Sequence, residues 1–310
     1  MHLRTARLLT ALTAVLTVTT ACGSGQAGPA PGAGAQGGRT DITAAMYPLQ
    51  WLAERIGGPD AAVTALTKPG VEPHDLELSP IQIAGIERTG LVVYVKGVQP
   101  AVDEAVEQHA ADRGFDAAAL VGTLPLAAGG EEGEAGSHDV SYDPHVWLDP
   151  TRMATIATKL GDRLAEADPA HAKGYRDRAA ATVADLTTLD DEMSQGLSAC
   201  SSRSIVTSHA AFGYLADRYK LRQIGINGLD PESEPSPARL AEVAKVAKQE
   251  KVTTIFSETL VSPKVAEVLS REIGARTAVL DPVESQPANG DYLSAMRQNL
   301  SALKTALGCS

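Results

Sequence analysis

The sequence lacks features that would place it in several common functional classes. It has no dense run of lysine or arginine, and its 27 basic residues are outnumbered by 38 acidic ones, which gives a formal net charge of −11. No segment is suited to follow a phosphate backbone, and this argues against a nucleic-acid partner. The Gly-x-Ser-x-Gly elbow and the His-Glu-x-x-His helix of many hydrolases are also missing. An acidic surface is compatible with attracting cations, although solubility alone explains it.

The apolar run near the N-terminus, residues 8–18, is too short for a membrane span. It follows two arginines and precedes small residues and Cys22, which is the pattern of an export signal. A cysteine at this point resembles the bacterial lipobox, although Thr19 stands where leucine is usual. We therefore expect a signal in residues 1–22 with a lipid anchor to the membrane on Cys22. An ordinary cleaved signal is the alternative. Residues 23–40, rich in glycine, alanine and proline, predict a flexible tether.

Cysteine is scarce, and only Cys200 and Cys309 remain beyond the signal. Outside the cytoplasm an even remainder favours a disulfide between them, with two separate thiols as the alternative. The bond would close a loop on the order of 100 residues, which is worth roughly 4–5 kcal/mol in unfolded-chain entropy.

The remaining chain alternates β-like runs with amphipathic helical segments, and its 310 residues suggest two domains. Strands separated by helices predict parallel sheets with right-handed crossovers. The predicted strands cover residues 42–46, 62–67, 91–96, 118–121, 204–208, 221–226, 252–256 and 276–280, and the predicted helices cover 49–56, 80–88, 102–111, 210–218, 237–249, 263–273 and 291–307.

A long helical pattern separates the two halves. Asp168-Pro169 is a suitable start, and apolar residues then recur every three or four positions as far as Leu197. The predicted fold is α/β, with two lobes that each hold a mainly parallel sheet flanked by helices, joined by one long rigid helix. We expect lobes at residues 41–167 and 200–310, the linking helix at 168–199, and a mobile acidic loop around residues 127–143.

Three histidines and one aspartate lie where strands end or in loops near them. His74 follows a strand, His209 directly follows residues 204–208, and Asp281 follows residues 276–280, while His145 lies within an Asp-Pro-His segment. Carboxyl ends of strands face the ligand crevice in open α/β sheets, so two facing lobes would bring these residues together. Histidine and aspartate suit a transition metal, although each residue alone has an ordinary surface or turn role.

These segments resemble the metal-binding solute receptors of ABC importers that handle zinc and manganese. The similarity covers about residues 41–308, and the Asp-Pro-His-Val-Trp-Leu-Asp-Pro block at 143–150 is its most specific part. The other matching pieces are Pro73-His74-Asp75, Ser-His-Ala-Ala-Phe-Gly-Tyr at 208–214, Glu-Pro-Ser-Pro at 234–237 and Leu280-Asp281-Pro282.

The resemblance implies one metal ion between the lobes, bound by His74, His145, His209 and Asp281. Glu258 lies where the family often has a glutamate near the site, so it is expected beside the ligands or as an alternative ligand. Three imidazoles and one carboxylate favour zinc over manganese, for which the family usually has a carboxylate at the position of His209. The implied partner is an ABC importer permease that receives the zinc, and we expect a monomer outside the cytoplasm, with no enzymatic role.

Three alternatives remain. A manganese receptor or a metal-binding adhesin would use the same scaffold. A metallohydrolase would keep an open coordination position for water, which four protein ligands do not leave. Neutral imidazole binds the metal, so binding should weaken as the pH falls through about 6.5.

Overall fold

The protein is described by a computed structural model that covers residues 39–126 and 140–310. The expected signal, the lipid site Cys22, nearly all of the tether and most of the acidic loop lie outside these described residues.

The first lobe is built on a four-stranded parallel sheet in the order β2-β1-β3-β4. Ile42 of β1 lies opposite Val63 on one side and Leu91 on the other, so the apolar positions of the sheet are in register. The elements of this lobe are β1 (Thr40–Ala44), α1 (Tyr47–Gly57), β2 (Ala61–Ala65), α2 (Pro80–Arg88), β3 (Leu91–Tyr94), α3 (Pro100–His109) and β4 (Gly114–Asp116).

The second lobe repeats this plan with a parallel sheet in the order β6-β5-β7-β8. The strand order is that of the first sheet, and the predicted fold class is confirmed. The elements are β5 (Ser204–Thr207), α6 (Gly213–Tyr219), β6 (Arg222–Gly225), α7 (Pro237–Gln249), β7 (Thr254–Ser257), α8 (Lys264–Ile273), β8 (Arg276–Val279) and α9 (Tyr292–Leu307).

Two details of the first half differ from the sequence prediction. The fourth strand is Gly114–Asp116, and the segment expected to be a strand at 118–121 instead begins with a 3-10 turn at Ala118–Leu120. The carboxylate of Asp116 accepts a hydrogen bond from the backbone N–H of Ala118 at 3.0 Å, which turns the chain out of the sheet. Helix α4 (Pro150–Ala167) was not predicted, although Asp149 caps it through the N–H of Thr151 at 2.8 Å.

The linking helix is α5 (Ala172–Gly196), which follows a short 3-10 turn at Pro169–His171. Its 25 residues span about 37 Å. Near its start, Arg178 donates to Asp60 of the first lobe at 2.8 Å. Near its end, Glu192 accepts from Arg297 of α9 at 2.6 Å. The helix is therefore fastened to both lobes, as the sequence predicted.

Side chains from both lobes form one continuous apolar core. Trp147, Tyr175, Tyr214 and Tyr292 are fully buried in it. The rings of Trp51 in α1 and Tyr292 in α9 lie 4.8 Å apart between centroids and join the lobes directly. Within the described residues, no helix is both long enough and apolar enough to cross a membrane.

Cys200 and Cys309 form a disulfide, and the alternative of two separate thiols is wrong. The bond joins the segment before β5 to the second residue after α9, over a sequence separation of 109. Closing a loop of this length restricts the unfolded chain and contributes roughly 4–5 kcal/mol to stability.

Close approach of α4 and α5 depends on Gly161. A Cβ atom at this position would lie 2.6 Å from the Cβ of Ala179, too close for either helix to keep its place. We expect Gly161→Ala to lower the free energy of unfolding by about 1–3 kcal/mol through overpacking. Chemical denaturation measures this change.

Gly85, within α2, is the matched control, since a Cβ there meets nothing within 4 Å. Gly85→Ala should leave stability unchanged or raise it by up to about 1 kcal/mol, because alanine favours the helix. Equal effects of the two substitutions would contradict the close packing of α4 on α5.

Candidate metal centre

Four side chains from both lobes meet at the carboxyl ends of the two sheets. His74 comes from the loop after β2, His209 from the turn after β5, and Glu284 from the segment after β8, while His145 directly precedes the 3-10 turn that leads into α4. The carboxyl ends of parallel strands lie at one edge of each sheet, so short loops from facing edges reach a common point.

The ligand atoms of these residues all lie within 4.8 Å of one another. Oε1 of Glu284 is 3.4 Å from Nε2 of His74, 3.6 Å from that of His145 and 3.7 Å from that of His209. The Nε2 atoms of His145 and His209 are 3.4 Å apart. Zinc bonds of about 2.0–2.2 Å place the corners of a tetrahedron roughly 3.3–3.6 Å apart, so these four separations are compatible with a four-coordinate zinc ion.

All four groups are removed from solvent. His145 and His209 are 0% exposed, Glu284 is 2% exposed and His74 is 6% exposed. A metal held by four protein ligands in such a place has no vacant position for a water molecule. The arrangement is that of a closed binding site and differs from a catalytic zinc site, which keeps one position open.

A buried carboxylate supports each of two histidine rings from behind. Nδ1 of His145 lies 2.7 Å from Oδ1 of Asp143, and Nδ1 of His209 lies 2.7 Å from Oε2 of Glu258. Each carboxylate also accepts the backbone N–H of its histidine. A carboxylate on Nδ1 keeps the proton there and leaves the Nε2 lone pair free for a metal.

His74 is held through its backbone, since its N–H donates to Oε2 of Glu72 at 2.8 Å. Burial raises the pKa of Glu72 to about 7, with the nearby His74 acting in the opposite direction. The loop also contacts the second lobe, where the N–H of Gly70 donates to Oγ of Ser285 at 2.7 Å.

The expected carboxylate differs from the one that the structure brings to the centre. Glu284 joins the three histidines, whereas Asp281 lies outside the group and uses Oδ1 to accept the N–H of Val283 at 2.8 Å. The sequence pattern favoured Asp281 because it directly ends the strand region, but Glu284 lies only three residues further along the same loop. Glu258 lies beside the cluster and not in it, with its Oε2 2.7 Å from Nδ1 of His209.

Asp143 was not singled out by the sequence. The signal that would have found it is the Asp-Pro-His spacing, because a carboxylate two residues before a histidine can accept both its backbone N–H and its Nδ1–H, as here.

The cluster is electrostatically coupled. Burial acts to lower the pKa of His209, but the carboxylates of Glu258 and Glu284 outweigh it and raise the pKa to about 9. Burial likewise opposes protonation of His74, but its hydrogen bond to Glu284 and the charges of Glu284 and Glu72 together outweigh burial and raise the pKa. For Glu284 burial acts to raise the pKa, but the hydrogen bond from His74 and the nearby imidazoles lower it. Burial raises the pKa of Asp143 to about 7.

Zinc binding near pH 7.5 is expected to release at least one proton, because His209, with a raised pKa, is protonated in the metal-free protein and zinc must displace that proton. The apparent affinity should therefore rise with pH up to about 9, a higher range than an unperturbed histidine predicts. Isothermal titration calorimetry in buffers of different ionisation enthalpy measures the proton count.

The control is Glu258→Gln, which removes the negative charge beside His209 and should reduce the number of protons released at the same pH. Absence of buffer dependence in the unaltered protein would contradict a protonated His209.

The family described as zinc-uptake complex component A, periplasmic, matches residues 42–306. This range contains all four clustered residues and both sheets except the first two residues of β1.

Two relatives in sequence are named for zinc. The zinc-binding lipoprotein AdcA of Streptococcus pneumoniae is 35% identical over 279 residues, which is 86% of this chain and 56% of that protein. The high-affinity zinc uptake system protein ZnuA of Bacillus subtilis is 32% identical over 297 residues, or 89% of this chain and 90% of that protein. The chain thus spans about half the length of AdcA and nearly all of ZnuA.

Two solved structures are similar to this chain over most of its length. Zn(II)-bound AdcA from Streptococcus pneumoniae has a TM-score of 0.74 at 34% identity, covering 87% of this chain and 58% of that one. The laminin-binding protein Lmb of Streptococcus agalactiae, described as bifunctional with adhesin and metal-transporting activity, has a TM-score of 0.77 at 29% identity, covering 86% and 99%. The chain belongs to the family of periplasmic zinc-uptake complex A components.

Proposed function

We propose that this chain is an extracytoplasmic receptor that binds one zinc ion with high affinity and delivers it to an ABC importer permease. The observation that carries the proposal is the buried group of three imidazoles and one carboxylate whose ligand atoms all lie within 4.8 Å of one another. The zinc ion is the cargo, and its ligands are His74, His145, His209 and Glu284. The names of the relatives, which include a zinc-binding lipoprotein and a zinc uptake protein, support the same metal.

The proposal includes the organisation of the chain around the site. Residues 1–22 act as an export signal, a lipid on Cys22 anchors the protein to the outer face of the membrane, and residues 23–40 form a tether. Two lobes on either side of residues 168–199 hold the metal, and the protein works as a monomer without enzymatic activity. Mass spectrometry of the exported protein tests the anchor, and an unmodified Cys22 would contradict it.

Four protein ligands favour a receptor over a metallohydrolase, because they leave no position at which water is activated. The same four ligands also favour zinc over manganese. Manganese prefers more oxygen ligands and a higher coordination number than this group supplies. Lmb, which is named for adhesin as well as metal-transporting activity, has a similar fold. Three imidazoles and one carboxylate would bind zinc whether or not the protein is also an adhesin.

The zinc site is tested by removing single ligands. His145→Ala and Glu284→Ala should each weaken zinc binding by at least roughly 100-fold, more than the loss of an outer partner usually costs. Competition with a chelator of known affinity measures the change, and metal analysis of the unaltered protein should give one zinc per chain. The matched control is His109→Ala, since His109 lies on α3 and pairs with Glu87, away from the site.

The delivery step is tested with the same variants in cells. A strain that lacks this protein should grow poorly under zinc limitation, and the unaltered gene, but not Glu284→Ala, should restore growth. Zinc affinity unchanged by either ligand substitution would refute the site. Restored growth with Glu284→Ala would refute delivery.

Metal choice gives a separate prediction. We expect zinc to bind at least roughly 100-fold more tightly than manganese, because nitrogen donors favour zinc. His209→Glu should narrow that difference by adding an oxygen ligand and a charge. Since the new carboxylate would lie beside Glu258, the double variant His209→Glu with Glu258→Gln avoids their repulsion. Competition titrations of both metals on each protein test this, and tighter manganese binding by the unaltered chain would make it a manganese receptor.

A further inference from the structure

The segment that carries Glu284 leaves the sheet at a defined point. The N–H of Leu280 donates to the carbonyl of Ser257 at 3.0 Å, so the chain is still in register with β7 at that residue. It then passes through Asp281, Pro282 and Val283 before it reaches Glu284. Val283 is 0% exposed and packs in the shared core, so this short connection is part of the interior.

Asp281 is fixed by one side chain of α9. Its N–H donates to Oδ1 of Asn299 at 2.9 Å, and its carbonyl accepts from Nδ2 of Asn299 at 2.7 Å. Its own Oδ1 accepts the N–H of Val283 at 2.8 Å, which is the hydrogen bond of an Asx turn. Both the backbone and the carboxylate of Asp281 are therefore engaged in shaping the loop.

The turn places Val283 in an unusual conformation. Its φ is 59°, in the left-handed region that a β-branched residue rarely adopts. Such a residue persists only where its surroundings determine the backbone. Here the indole N–H of Trp147 donates to the carbonyl of Pro282 at 2.7 Å on one side, and Gly70 donates to Ser285 on the other.

We propose that Asp281 is a positioning residue whose Asx turn, completed by left-handed Val283 and clamped by Asn299, directs the carboxylate of Glu284 into the zinc site. This inference rests on the proposed zinc-binding function. The carboxylate nearest to the strand end shapes the loop, and the carboxylate three residues later binds the metal. The role needs an acceptor oxygen at position 281 and does not need a negative charge there.

Two substitutions at one position separate this role from coordination. Asp281→Asn keeps an oxygen that accepts the N–H of Val283, so zinc affinity should stay within about threefold of the unaltered protein. Asp281→Ala removes that acceptor and should weaken zinc binding by about 10- to 100-fold, the usual range for a residue that orients a ligand. A ligand at position 281 would instead make the asparagine variant nearly as weak as the alanine variant.

Absorption of the Co²⁺-loaded protein supplies a readout that general destabilisation does not move. The ligand-field bands report the ligand set, so Asp281→Asn should have the spectrum of the unaltered protein. A changed spectrum in that variant would place Asp281 among the ligands and overturn the inference. Asn299→Ala removes both hydrogen bonds to the backbone of Asp281 and should also weaken zinc binding, as Asp281→Ala does.

The matched control is Asp116→Ala. Asp116 ends β4, the edge strand that corresponds to β8 in the first sheet, and its Oδ1 accepts from Lys96 and Ala118 in a similar strand-end turn. Its loss should leave zinc affinity unchanged. Failure of the two proposals is distinguishable: zinc binding that survives Glu284→Ala refutes the site itself, whereas equal losses in Asp281→Asn and Asp281→Ala refute only the positioning role.

Discussion

The structure depends on burying charged groups where two lobes meet. Asp143, Glu258 and Glu284 are at most 6% exposed, and an isolated carboxylate at such a depth is very unfavourable. Each of them lies against an imidazole, so the carboxylates and histidines stabilise one another through charge-assisted hydrogen bonds. In the metal-free protein, a proton on His209, whose pKa is raised to about 9, supplies part of the compensating charge, and the proposed zinc ion would replace it.

The carboxylates and imidazoles compensate one another only if they are placed accurately, and the packing of the two lobes holds them in place. The candidate ligands come from four separate segments. Those of His145, His209 and Glu284 carry side chains of the shared core, and the loop of His74 packs on a smaller apolar cluster of the first lobe. Trp147 is an example, since it lies two residues after His145, within the 3-10 turn Val146–Leu148, and its indole N–H donates to the carbonyl of Pro282 in the loop of Glu284. Its ring centroid lies 5.1 Å from that of His145. A single side chain thus links two ligands that are far apart in the sequence.

Much of this arrangement could be predicted from the sequence, because the signals involved are local. His209 directly follows an apolar β-rich run, and the Asp-Pro-His block marks His145 as unusual. The choice between Asp281 and Glu284 could not be made in this way. The choice depends on the left-handed backbone of Val283 and on Asn299, which lies 18 residues after Asp281 in the sequence. Helix α4 was not predicted, although its start at Asp149-Pro150 is the same residue pair as the predicted helix start at Asp168-Pro169.

The disulfide has a consequence for the connectivity of the protein. Between Cys200 and Cys309 lies essentially the whole second lobe, so this part of the chain is a covalently closed ring that continues into α5 at one end. A single proteolytic cut anywhere inside the ring leaves the two fragments joined through sulfur, and they separate only after reduction. A cut in the first lobe is not bridged by a disulfide within the described residues, so the two fragments are then held together only by non-covalent packing. The lobe that supplies His209 and Glu284 therefore stays covalently connected to the rest of the chain after a single cut.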